Sequence, residues 1–233
     1  MVISQRNCSL IVLLAILLLS NCFAIDKPNH LEPITPHYMF GSELETYAGT
    51  VFNSLVDNVR RMDLAMIAKP AFTSEYAVIL RDLTPSDSST GQYQLEYAIA
   101  DPMIWGLLSQ QSDSDTIEWR DKIVVKRQSA TIPDSLCDLI YRAWETALLA
   151  CRYAPKDWVG LDGETYEFFV WPREKTGLLS GQTWSPEKGV PKQMVELAEL
   201  MKEYVTCAVP ERTKVSERIA EKARAIIEQT DSQ

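Results

Sequence analysis

The chain has 233 residues, with 32 acidic against 23 basic side chains, only two histidines, and a net charge of −9. Such an excess of carboxylates offers no surface for neutralising phosphates, which argues against nucleic acid and against an anionic membrane as partner, and favours a basic protein electrostatically. No GxSxG, phosphate loop, HExxH, GxGxxG, calcium loop or CxxC pair occurs, so neither a cofactor nor a metal is expected.

Residues 1–24 differ from the rest. Arg6 is the only charge, residues 10–19 are an unbroken apolar run, and Ala24 is a small residue at the natural cut. That is the layout of a secretory signal, with an apolar core shorter than the roughly 20 residues a spanning helix needs. Leu19-Ser20-Asn21-Cys22 also resembles a bacterial lipobox, in which Cys22 would be acylated. Asn21 stands where that motif takes Gly or Ala, which favours cleavage after Ala24. Removing 24 of the 233 residues leaves 209, with 22 basic and 32 acidic side chains and a net charge of −10. An exported protein is expected, periplasmic or extracellular, touching a membrane only through an uncleaved signal or a lipidated Cys22.

Residues 25–41 hold Pro28, Pro33, Pro36, His30 and His37 and read as an extended leader. Two histidines on a loose leader lack the rigid further ligands a metal needs. Ser42 and Glu45 form a capping box for a first helix. Its apolar stripe runs through Leu44, Ala48, Val51, Leu55, Val59, Met62 and Met66, and Pro70 closes it.

Three strands follow, at 75–81, 92–99 and 116–126. The second alternates, with Tyr93, Leu95, Tyr97 and Ile99 toward a core and Gln92, Gln94, Glu96 and Ala98 toward water. The third alternates through Ile117, Trp119, Ile123 and Val125, with a bulge expected at Asp121-Lys122.

A second helix spans 133–152, with Leu136, Leu139, Ile140, Ala143, Ala147 and Cys151 buried, Trp144 and Leu148 on the flank, and Asp138, Tyr141, Glu145 and Arg152 opposite. Its two cysteines, Cys137 and Cys151, lie about 21 Å apart along the axis and cannot bridge each other. At most one can pair with Cys207, and three scattered thiols more often serve as small buried hydrophobes. Asp162-Gly163 is a turn. Residues 164–171 form a strand apolar on both faces, which belongs inside a sheet, and 176–184 supply a short partner strand. A third helix carries Pro191 in its first turn and Met194, Leu197, Ala198, Met201 and Val205 inward. A charged last helix, 211–229, turns Val215, Ile219, Ala223 and Ile226 inward. The expected fold is one α+β domain: a mostly antiparallel sheet of about five strands packed by three to four helices. Residues 42–210 form its body, and 211–233 a charged helix and tail.

Residues 141–184 hold four of the six tryptophans: Trp144, Trp158, Trp171 and Trp184. Tyr141, Arg152, Trp158, Tyr166 and Trp184, near Gly163, Gly181 and Gly189, are candidate binding residues, since Trp and Tyr are the usual interface anchors. The competing reading makes the aromatics core. Among acids, Glu145 with Asp162 or Glu164 is the candidate catalytic pair, because Tyr141 and Arg152 beside Glu145 would set its pKa. Against it stands an ordinary solvated helix face with weak ion pairs. The pattern points first to an exported, non-catalytic protein-binding module, an inhibitor or immunity-type factor. The alternatives are an envelope-polymer hydrolase and a structural envelope lipoprotein anchored at Cys22.

Overall fold

The computed structural model describes residues 29–34, 47–84, 91–110, 120–153, 163–173 and 177–232. The signal segment, Cys22, His37, the Ser42 capping box, Trp119, Trp158 and Asp162 lie outside them.

The elements, in order, are β1 (Glu32–Pro33), α1 (Tyr47–Leu55), β2 (Met62–Pro70), β3 (Tyr76–Asp82), β4 (Tyr93–Asp101), α2 (Ile104–Ser109) and β5 (Val124–Ile132). Then come α3 (Asp134–Leu149), β6 (Glu164–Val170), β7 (Leu179–Trp184), α4 (Gly189–Thr206) and α5 (Arg212–Asp231). They make a single α+β domain around one seven-stranded sheet, ordered β1-β7-β6-β2-β3-β4-β5, in which every pair is antiparallel. The strand number exceeds the sequence expectation by two.

One of the extra strands, β2, and the shifted bounds of β5 have physical causes. β2 (MDLAMIAKP) was expected to continue the first helix. It lies between β3 and β6 with residues 64–68 buried on both faces, so its apolar residues do not alternate with polar ones and Met62 and Met66 fall by chance on a helical stripe. Pro70 therefore ends a strand, not a helix. β5 starts at Val124 rather than 116, and Asp121-Lys122 lie in a 3-10 turn. As an edge strand with much of its surface in water, β5 reads as polar.

Both faces of the sheet are covered. On one, α3 and α4 pack over Leu64, Met66, Val78, Leu80, Leu95 and Phe168, with Trp144 edge-on to Phe168 at 5.5 Å between ring centres. α5 packs against both α3 and α4, and its Val215, Ile219, Ala223 and Ile226 are all buried in the same cluster. On the other face, α1 and α2 cover Ala65, Ile67, Ile79, Ala98 and Phe169. This corrects the expectation that one face of β4 is wet: Glu96, Ala98 and Ala100 are all buried.

Glu96 is buried because two arginines meet it there. Arg81 Nε donates to Glu96 at 2.8 Å, and Arg127 bonds the same carboxylate. Arg127 also donates to the carbonyls of Ser54 and Leu55, and Arg81 to that of Asn58. These are carbonyls at and just beyond the last turn of α1, which lack partners within the helix. The ion cluster thus locks α1 onto the sheet.

Candidate functional site

The register brings Pro70, Tyr76, Asp101, Val124, Glu164 and Trp184 to one end of the sheet, and Asp63, Asp82, Tyr93, Val170 and Leu179 to the other.

At the Trp184 end, large apolar side chains face water. Phe72, in the β2–β3 turn, is 77% exposed, Val124 58% and Trp105 47%. Trp105 is nonetheless fixed. Glu75, whose side chain is fully buried, accepts from the Ile104 backbone N–H at 2.7 Å and from the Trp105 N–H at 2.9 Å. The Tyr47 hydroxyl donates to the same carboxylate at 2.8 Å, and the Tyr47 ring packs edge-on to Trp105 at 5.3 Å. Burial, and then the adjacent Glu75 charge, hold the Tyr47 phenol well above its ordinary range, so it remains a donor. A carboxylate taken out of water survives only with its lone pairs satisfied. Here three donors satisfy it, and the result is an exposed indole on a rigid mount.

Trp184 belongs to the same end and is partly exposed. Its ring lies against the Gly163 backbone: a Cβ there would sit 2.2 Å from the indole. A side chain at 163 would therefore force the indole to move.

The other sequence candidates scatter. Tyr166 is buried and donates its hydroxyl to Glu164. Nearby, Tyr76 donates to Glu199 at 2.5 Å, and the Lys202 ammonium lies over the Tyr76 ring at 4.4 Å. Tyr166 also lines a groove of about 790 Å³ between α4 and α5, whose sides are tied by Glu196–Lys222 and Glu203–Arg218 pairs.

Tyr141 sits at the opposite end. Contrary to its expected place on an outer helix face, it is buried, donates to the Trp171 carbonyl and accepts from the Arg173 N–H. Burial pushes its phenol up to about 12. Glu145 adjoins Tyr141, and Glu164 adjoins Tyr166. Arg152 is exposed; its backbone N–H donates to the Leu31 carbonyl at 3.0 Å, and it lines a smaller cavity beside α4.

Several polar residues escape sequence reasoning. Met62 opposes Arg81 while Leu64 opposes Leu80, which makes Asp63 the extra residue of a bulge. Burial, and then the Asp82 carboxylate, push Asp63 up to about 6, against the lowering effect of Arg173. Arg173 itself bonds Asp138 at 2.6 Å and stacks over Tyr141 at 4.5 Å. Glu75 and Trp105 are the larger omission. A lone acid before the apolar run YAVILR carries no local mark of capping a helix 29 residues later.

Among the described residues, no group of three His, Cys, Asp or Glu side chains is placed to hold a metal ion, and no helix is long and apolar enough to cross a membrane. No protein family, curated protein or solved structure matches the chain.

Proposed function

We propose that this chain is an exported protein-binding module that presents Trp105 to its partner, with Phe72 and Val124 exposed at the same end of the sheet. The observation that carries this reading is the mount of Trp105. A fully buried carboxylate, two backbone donors and a tyrosine hold in place an indole that is half in water. Interfaces draw most of their energy from such rigid aromatic anchors. Export rests on residues 1–24, by cleavage after Ala24 or acylation at Cys22. The net charge of −10 after removal of that segment favours a basic partner. An inhibitor or immunity-type role suits a module of this kind.

The test is site-specific photo-crosslinking in the native host. A photoreactive residue at 72 or 105 should capture one protein. The same residue at exposed Arg142, on the far side of the sheet, should capture none. Equal capture from all three positions, or none from 72 and 105, overturns the proposal.

A further inference from the structure

The second cavity has a chemistry of its own. It encloses about 420 Å³ between the segment before β1, the end of α3, the start of α4 and Thr230 near the end of α5. That is room for a metabolite-sized ligand. Its one charged side chain among the described residues is Arg152, with the His30 ring beside it, and no aspartate or glutamate is among the described residues that line it. In a chain where acids outnumber bases 32 to 23, a described lining without one acid stands apart. Leu31, Ala147, Ala150, Val190 and Pro191 supply an apolar floor.

We propose that this cavity binds a small organic anion, a carboxylate or phosphate carrying a short apolar body. Arg152 supplies the charged, forked donor that suits such an oxyanion. The walls bearing Arg152 and His30 are tied together before any ligand arrives. Asn29 Oδ1 accepts from the Glu187 and Lys188 N–H groups, both at 2.8 Å, and the Arg152 N–H donates to the Leu31 carbonyl. Neither the His30 nor the Arg152 side chain has an acidic partner among the described residues. Gly189 and Val190, the first residues of the 18-residue α4, also line the cavity, and the N-cap residue Lys188 makes no side-chain capping bond. Their N–H groups and the positive end of α4 add to the charge that Arg152 brings. The site lies on the α3–α4 face, across the sheet from Trp105, and stands or falls apart from the protein-binding surface.

The experiment is an amide NMR titration of the ¹⁵N-labelled protein with inorganic phosphate in one arm and N-acetyl-L-alanine in the other, at constant ionic strength set with chloride. The proposal expects saturable shifts at Gly189 and Val190 and at the Arg152 Nε–H in at least one arm, and that arm identifies the anion. Arg152→Gln should weaken the affinity about tenfold or more, as loss of a charged hydrogen bond does. Lys192→Gln, on the other side of α4, should leave it unchanged. No saturable shift in either arm overturns the proposal, as do shifts that chloride alone reproduces or that survive Arg152→Gln.

Discussion

Replacing Glu96 by Gln keeps the shape of the α1-side ion cluster and removes one charge. The structure sets the size of the effect. The Glu96 side chain is 10% exposed and Arg81 only 6%, so both charges are desolvated, while Arg127 at 27% is partly hydrated. Breaking a fully buried pair costs about 3–5 kcal/mol, mostly from the partner left uncompensated. Two features place Glu96→Gln at the lower end. Asp57 still meets Arg81 at 2.7 Å, and the amide oxygen can still accept one guanidinium bond. The expected loss is about 3 kcal/mol, a fall in Tm of roughly 6–12 °C for a domain of this size. Asp57→Asn is the control: that side chain is 58% exposed, and its loss should cost under about 1 kcal/mol. Urea and thermal unfolding followed by circular dichroism measure both. If Glu96→Gln costs no more than Asp57→Asn, the cluster does not lock α1 to the sheet and the reasoning fails.

Asp63 ties stability to pH. Its carboxyl titrates near 6 in the folded protein, above the ordinary aspartate value of the unfolded chain. The folded state therefore holds that proton more tightly, and the resulting stability is complete below about pH 4 and lost as pH rises through 6. Asp63→Asn should gain on the wild type between pH 4.5 and 7.5 in urea titrations; a gap independent of pH would contradict the assignment. Gly181→Ala should destabilise by about 1–3 kcal/mol, since overpacking a tight contact forces neighbours to move. The new Cβ would meet Cys151 Sγ at 2.7 Å and Leu148 at 2.9 Å, and an unchanged melting curve would show that α3 does not press on β7 there. Cys137, Cys151 and Cys207 are all free, and burial pushes the first two thiols up to about 12. Iodoacetamide at pH 8 should leave both unmodified in the folded protein and label all three in urea, read by mass spectrometry; fast native labelling of Cys137 would refute its burial.

What the chain reveals of its fold depends on how each element is wetted. The helices α4 and α5 are dry on one side only, so Met194, Leu197, Ala198, Met201 and Val205 of α4 and Val215, Ile219, Ala223 and Ile226 of α5 identify themselves by spacing. β6 shows as an interior strand because Phe168, Phe169 and Val170 leave no polar face. The same dryness hides β2, whose Met62 and Met66 extend the stripe of α1. The binding candidates divide for a related reason. Aromatic content alone does not separate Tyr141 and Tyr166, which are core, from Trp184, which is partly exposed. Trp105 is invisible in sequence because its support, Glu75, arrives through a contact across 30 residues.

The most direct test of the central claim is calorimetric titration of the protein captured through position 105 into wild type and Trp105→Ala. A rigid anchor at the centre of an interface should lose about 2 kcal/mol or more of binding energy when truncated, some thirtyfold in Kd, while the melting temperature of the free protein stays within a few degrees. Equal affinities would show that Trp105 is not the anchor and that its mount serves only to hold α2 on the sheet.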